Sequence, residues 1–156
     1  MDKEWVVKEK LDVLEWTTSL KQISNELWFT SFREGSWGIA DVISHFITWD
    51  KFLIDYRITY IIANSKFPEI QLDVQAMNKA ASIFARSGIS KEELIDLFIS
   101  TRTELIAQIN SIPAEKFNQP YLGNERLALH EYFGGLIEHD LKHKAQIDAF
   151  IAMQRE

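Results

Sequence analysis

A histidine interrupts an apolar helical pattern in residues 36–50, SWGIADVISHFITWD. Steps of three and four residues through this stretch connect side chains that share one helix face: Val42, His45, Trp49, Phe52 and Tyr56. The pattern predicts a long helix from Trp37 to about Ala63, with Ser36 as its N-cap. A polar group on the buried face of such a helix costs roughly 1–3 kcal/mol unless it is partnered, so His45 is expected to have a partner.

The same helical periodicity runs through most of the remaining chain and predicts an all-α fold. The expected helices are a first one from about Asp2 to Phe29, a short one from Leu72 to Arg86, a long one from Ser90 to Ser111, and a last one from Arg126 to Met153. Ser90 and Glu93 fit a capping box at the start of the third long helix. Residues 112–125 hold two of the three prolines and are expected to form a loop. The sequence therefore predicts a four-helix bundle with one short additional helix, and almost no strand.

A second histidine pattern lies in residues 138–147, EHDLKHKAQI. His139 and His143 are four residues apart, which places their Cβ atoms about 5–6 Å apart on one helix face. Their stripe continues through apolar residues at both ends: Leu129, Tyr132, Leu136, His139, His143, Gln146 and Phe150. Two imidazoles at this spacing can reach one metal through bonds of roughly 2.0–2.1 Å, and His45 from a facing helix would complete a three-histidine site. The alternative for each histidine is an ordinary hydrogen bond in the core.

Three imidazoles suit Zn, Ni, Fe or Mn, so the expected cofactor is one divalent metal ion of unspecified identity. His130 falls off the stripe, which favours a surface or helix-end position. Glu138 and Asp140 flank His139 and are either solvated carboxylates, partners of a ligating imidazole, or a fourth ligand that would close the site. Because Asp140 and not a glutamate follows His139, the segment does not match the H-E-x-x-H protease signature.

Composition limits the possible partners and locations of the protein. The 156 residues carry a net charge of −6 without a clustered basic segment, which argues against a nucleic-acid partner. The absence of cysteine excludes disulfides, thiolate metal ligands and a cysteine nucleophile. No apolar run is long enough for a membrane span and no signal peptide is visible, so a soluble, cytoplasmic protein of one domain, residues 1–156, is expected. The apolar residues of the first helix cover more than one narrow stripe, as Trp5, Trp16 and Trp28 show. A second apolar face of this kind indicates a homodimer.

The chain resembles the DinB/YfiT-like family of four-helix-bundle metalloenzymes. The resemblance rests on Trp37 and His45, on His139 and His143, and on the connecting segments LDVQAMNKAA (72–81) and SKEELIDLFISTRTELIAQINSIPAEKF (90–117). It implies an up-down-down-up bundle in which His45, His139 and His143 hold a divalent metal. It also implies a thiol-dependent enzyme, because characterised relatives are transferases and isomerases that use bacillithiol or mycothiol.

The leading functional prediction is therefore a bacillithiol-type S-transferase that joins a small-molecule thiol to a small electrophile. The alternatives are a metal-dependent hydrolase, in which the same open site activates water, and a non-catalytic bundle that binds or sequesters metal. The family has no motif for substrate-contacting residues that can be matched here, so catalytic residues other than the proposed ligands are unknown.

Overall fold

Helices account for most of this computed structural model, which describes residues 1–121 and 124–155. They are α1 Lys3–Ser19, α2 Asn25–Phe29, α3 Ile39–Leu53, α4 Thr59–Ile62, α5 Val74–Ala85, α6 Lys91–Asn110 and α7 Leu129–Gln154. Short 3₁₀ turns cover Leu20–Gln22 and Ala114–Asn118, and one π-helical turn, Ile54–Ile58, joins α3 to α4. The prediction of an all-α fold is confirmed.

Helices α1 and α7 run in the same direction. Lys10 of α1 contacts Asp140 of α7 at 2.9 Å. Further along α1, the indole N–H of Trp16 donates to Asp148, which lies further along α7. Contacts that advance together on two helices show that the helices are parallel.

Helices α3 and α6 are also parallel to each other. The rings of Phe46 in α3 and Phe98 in α6 have centroids 5.9 Å apart. One turn further along both helices, Asp50 of α3 contacts Arg102 of α6. These two helices form the second parallel pair of the bundle.

The two pairs run in opposite directions. Lys21, just after the end of α1, contacts Asp96 near the start of α6. Since the end of one helix meets the start of the other, α1 and α6 are antiparallel. The order of directions for α1, α3, α6 and α7 is therefore up, down, down, up, as the resemblance implies, and the additional helix α5 packs along α3.

The first helix is shorter than predicted, because the α-helical hydrogen bonding is interrupted before residue 25. Helix α1 ends at Ser19, and the hydroxyl of Ser24 accepts the backbone N–H of Leu27 and so begins α2. The serine hydroxyl gives a backbone N–H a partner outside the hydrogen-bond pattern of α1, so ending α1 and beginning a new helix costs little. The predicted single helix from Asp2 to Phe29 is wrong for this reason.

The N-cap of α3 is Gly38, so the prediction of Ser36 is wrong. Ser36 instead hydrogen-bonds the backbone of Arg33, and Gly38 forms an isolated bridge with Ser31. A Cβ atom at Gly38 would lie 2.3 Å from the carbonyl oxygen of Thr30. Only glycine allows the two backbone segments to approach this closely.

The last helix begins at Leu129, later than the predicted Arg126. Residues Asn124–Ala128 form strand β2, which pairs antiparallel with β1, Pro120–Tyr121. The prediction of a loop over 112–125 missed this hairpin, because its proline and glycine content is typical of loops; residues 122 and 123 lie outside the described part. Among the described residues, the helices are too short or too polar for any of them to cross a membrane.

Candidate metal centre

The three predicted histidines meet between α3 and α7. The ring centroids of His45 and His139 are 5.3 Å apart, those of His45 and His143 are 5.1 Å apart, and those of His139 and His143 are 4.7 Å apart. One nitrogen from each ring lies within 4.8 Å of the other two. Metal–nitrogen bonds of 2.0–2.1 Å at tetrahedral angles place ligand nitrogens roughly 3.3 Å apart, so the three rings would have to approach one another by at most about 1.5 Å to share one ion.

His45 has the environment expected of a metal ligand. Its Nδ1 atom lies 3.0 Å from the side-chain oxygen of Asn78. Its Nε2 atom is buried and has no hydrogen-bond partner among the described residues. Burial lowers the pKa of His45 to about 4, so the ring is neutral at physiological pH, and a neutral imidazole is the form that binds metal. An orphaned buried nitrogen beside two further imidazoles fits a divalent ion.

The other two histidines lie at the edge of the core, although the apolar residues at both ends of their stripe predict a buried face. His139 is exposed and His143 is half-buried. The buried face of α7 instead runs through Phe133, Ile137 and Asp140, one position along from the histidine stripe. The site is therefore open toward solvent on the α7 side. Burial and the neighbouring His139 both lower the pKa of His143.

Asp140 is neither a solvated carboxylate nor a partner of a ligating imidazole. Its Oδ2 atom accepts from Lys10 at 2.9 Å and from Arg102 at 3.0 Å. Arg102 also forks onto Asp50, with contacts of 2.6 and 3.1 Å. These four residues, called here the ion cluster, are all at most 4% exposed and come from α1, α3, α6 and α7. Glu138 lies outside this cluster, on the exposed face of α7.

Sequence reasoning missed the ion cluster, although a signal for it exists. Lys10 stands between Val6 and Val13 on the buried stripe of α1, and Arg102 stands between Phe98 and Leu105 on that of α6. A charged residue at a core position requires an opposite charge, because Lys and Arg are almost never fully buried unpaired. The apolar stripes could therefore have identified Lys10 and Arg102 as buried charges, but not the carboxylates with which they pair.

A pocket of about 450 Å³ opens beside the histidines. Its lining is mainly apolar and includes two of the three imidazoles: His45, Trp49, Phe52, Leu53, Val74, Asn78, Tyr132, Leu136 and His139. This volume is within the range of roughly 300–1,000 Å³ typical of small-molecule sites. Three aromatic residues of the two histidine stripes, Trp49, Phe52 and Tyr132, thus line the pocket, whereas Phe150 is in the core.

Burial raises the pKa of Tyr132 to about 12, which is further above neutral pH than the ordinary value for tyrosine. The positive charge of Arg57 opposes this rise in pKa, and its guanidinium lies 4.7 Å from the ring centroid of Phe52 and 4.6 Å from that of Phe67. The pocket wall thus contains one neutral phenol, that of Tyr132.

The remaining predicted residues lie around the site or away from it. Trp37 packs against the ring of His45 with centroids 5.2 Å apart. His130 is in the first turn of α7, as expected, and is not part of the histidine group. Trp28 is fully buried within this chain, so it contributes no surface for the second copy that the sequence indicates; the homodimer stays a prediction.

The structure is a helical bundle with three histidines that could hold a metal ion, and comparison with known proteins shows its family. The model of the DinB superfamily matches residues 13–147, and the chain belongs to this superfamily. The solved structure of a protein described as Sibling Lethal Factor Precursor - DfsB has the same fold, with a TM-score of 0.79, 14% sequence identity, and coverage of 100% of this chain and 98% of that one. At this identity the likeness shows the fold alone. A search of curated proteins gave no match.

Proposed function

We propose that this protein is a divalent-metal-dependent S-transferase that joins a small-molecule thiol of the bacillithiol type to a small apolar electrophile. The observation that carries the proposal is that an apolar pocket opens directly onto His45 and His139. Together with His143 these are the proposed ligands. A divalent ion bound there lowers the pKa of a thiol beside it and favours the nucleophilic thiolate.

The chain supplies the surroundings of the reaction and not its nucleophile, since it has no cysteine. Trp49, Phe52 and Leu136 form apolar walls that hold the electrophile and exclude water. Tyr132 retains its proton and is available as a hydrogen-bond donor to an oxygen of the electrophile. The thiol sulfur forms a bond to the electrophilic carbon, the leaving group departs with the electron pair of the broken bond, and the thiol proton goes to solvent.

The set of protein ligands leaves room for such a substrate. Among the described residues the histidine group has three members, and Asp140, a candidate for closing the site, is engaged by Lys10 and Arg102. Catalytic metal sites typically have three protein ligands and one open position, whereas structural sites are closed by four. The arrangement therefore favours a catalytic role over a structural one.

The test uses the full chain purified without a histidine tag. Metal content is measured by elemental analysis, and conjugation of a cysteine-containing thiol to a chromogenic apolar electrophile is followed by absorbance. We expect activity that is lost on chelation, restored by Zn²⁺ or Ni²⁺, abolished in His45→Ala, and retained in His130→Ala, the matched control outside the site.

Three other outcomes would contradict the proposal in different ways. Activity that survives both chelation and His45→Ala would show that metal does not activate the thiol. A metal-dependent reaction that incorporates oxygen from labelled water would identify a hydrolase. Stoichiometric metal binding without turnover of either kind would indicate a metal-sequestering bundle.

A further inference from the structure

Asn78, in the first half of α5, connects the pocket wall to the histidine group. Its side-chain oxygen lies 2.9 Å from the indole nitrogen of Trp49 and 3.0 Å from Nδ1 of His45. One atom thus faces two nitrogens from α3. All three side chains contribute to the lining of the pocket.

The indole nitrogen determines how the asparagine is oriented. An amide oxygen and an amide nitrogen have nearly the same shape, so their assignment has to come from the hydrogen-bond partners. The N–H of Trp49 can only donate, so the atom of Asn78 that faces it is the carbonyl oxygen. With the opposite orientation, two N–H groups would point at each other.

The orientation of Asn78 in turn determines the tautomer of His45. A carbonyl oxygen can only accept, so Nδ1 of His45 carries the ring proton. A neutral imidazole has one N–H, which leaves Nε2 with a free lone pair. This Nε2 is the buried atom that has no partner among the described residues.

We propose that Trp49 and Asn78 are positioning residues that hold His45 as its Nδ1–H tautomer and thereby direct the Nε2 lone pair to the metal. The metal part of this inference rests on the function proposed above. Residues that orient a ligating histidine in this way typically contribute 10–100-fold to metal affinity. Neither residue would contact the ion itself, since the oxygen of Asn78 is occupied by two N–H groups.

Helix α5 is fixed against α3 firmly enough to hold Asn78 in place. One turn after Asn78, the backbone carbonyl of Ala81 accepts from the hydroxyl of Ser44 at 2.7 Å. Near the end of α5, Arg86 contacts the buried carboxylate of Asp41 at 2.6 Å. These two contacts anchor α5 to α3 beyond Asn78.

The experiment compares three substitutions that change the hydrogen bonds from Trp49 and His45 to Asn78 in different ways. Asn78→Leu removes the acceptor and keeps the number of side-chain heavy atoms, and Asn78→Asp keeps an acceptor. Trp49→Phe removes the indole N–H together with part of the ring and frees the amide to rotate. Ser82→Ala is the matched control, because it removes a hydrogen bond between α5 and Asp41 and leaves His45 untouched. Far-UV circular dichroism confirms folding of each variant.

The first measurement is the ¹⁵N spectrum of histidine-labelled, metal-free protein at neutral pH. We expect a protonated Nδ1 and a bare Nε2 for His45 in the wild type and in Ser82→Ala, and a mixture of tautomers in Asn78→Leu and Trp49→Phe. A wild-type His45 that carries its proton on Nε2 would overturn the proposal. This readout requires no metal and no activity.

The second measurement is Zn²⁺ affinity by competition with a chelator. We expect a loss of roughly 10–100-fold in Asn78→Leu, a smaller loss in Trp49→Phe, and near-wild-type binding in Asn78→Asp and Ser82→Ala. Unchanged affinity in folded Asn78→Leu would overturn the positioning role. If the wild type shows the Nδ1–H tautomer but binds no Zn²⁺, Ni²⁺, Fe²⁺ or Mn²⁺, the proposed function fails, and with it the metal part of the inference.

Discussion

Replacing Arg102 by methionine tests whether the ion cluster holds the four helices together. Arg102 is fully buried and makes three contacts of 2.6–3.1 Å, two to Asp50 and one to Asp140. In Arg102→Met, Asp140 keeps Lys10, whereas Asp50 loses both of its charged contacts. An uncompensated buried charge of this kind typically costs about 3–5 kcal/mol.

That cost is a large part of the total stability of a domain, which is roughly 5–15 kcal/mol. For a chain of this size each kcal/mol lowers the unfolding temperature by roughly 2–4 °C, so we expect a decrease of roughly 6–20 °C. Thermal and urea unfolding of metal-free protein, followed by circular dichroism, measure it without a contribution from bound ligand. Lys8→Met is the matched control, because Lys8 forms an exposed ion pair with Asp12, and it should leave the midpoint unchanged.

The double variant Arg102→Met/Asp50→Asn separates charge burial from lost packing. It removes both the arginine and the carboxylate left without a partner, and the Lys10–Asp140 pair stays neutral overall. We expect it to be less destabilised than the sum of the two single variants, by about 0.5–3 kcal/mol of coupling. Additive effects, or an Arg102→Met midpoint equal to that of Lys8→Met, would refute the reasoning.

The pH dependence of Arg102→Met provides an independent check. Burial raises the pKa of Asp50, and Arg102 opposes that rise. Without Arg102 the folded-state pKa of Asp50 rises further above the unfolded value. At pH values between these two pKa values, folding is accompanied by the uptake of one proton. A group of this kind stabilises the fold below its folded pKa and loses that stabilisation as the pH rises through it. The deficit of the variant relative to wild type should therefore shrink in mild acid.

Three further predictions concern other parts of the molecule. His139→Ala should lose bound metal and the rise in unfolding temperature that metal gives, whereas His130→Ala should keep both; equal metal content by elemental analysis would contradict this. Burial pushes the pKa of Asp41 upward, but its hydrogen bonds, above all that from Arg86, outweigh burial and lower it. Its contribution is therefore complete above the unfolded pKa of about 3.9 and is lost as the pH falls through the folded one, so urea midpoints of Asp41→Asn should lie below wild type at neutral pH and converge with it in acid. Gly38→Ala should cost about 1–3 kcal/mol in urea unfolding because its Cβ would overlap the carbonyl oxygen of residue 30, and an unchanged midpoint would show that the backbone moves freely there.

The helices could be predicted because their apolar periodicity is long and regular, as in α3 and α6. Their ends could not, because ends depend on individual hydrogen bonds. Ser90 was identified correctly, and its hydroxyl accepts the N–H of Glu93. Ser24, a cap of the same type, lay inside an apolar pattern that continued past it and concealed the break. The sequence did not predict the hairpin before α7, because β1, Pro120–Tyr121, is too short to show an alternating strand pattern.

The histidine group was predictable in part, because helical spacing determines which side chains share a helix face. The spacing of His139 and His143 within one helix determines their proximity, and the stripe of α3 directs His45 toward another helix. The depth of each side chain was not predictable, because the stripe through Tyr132 and Leu136 lies beside the core face and not on it. Asn78 could not be found at all, since its contact with α3 exists only after α5 has packed.

The ion cluster and the histidine group depend on each other through the register of the helices. Asp140 directly follows His139 in α7, and Asp50 lies five residues after His45 in α3. Arg102 contacts both carboxylates, so it fixes the position of α7 along its axis relative to α3. That position determines the distance between His45 and His139. An apolar core would tolerate a shift along the helix axis better than a fork of hydrogen bonds does, because forked contacts have a defined geometry. A buried arginine that bridges two helices therefore keeps their imidazoles within reach of one ion.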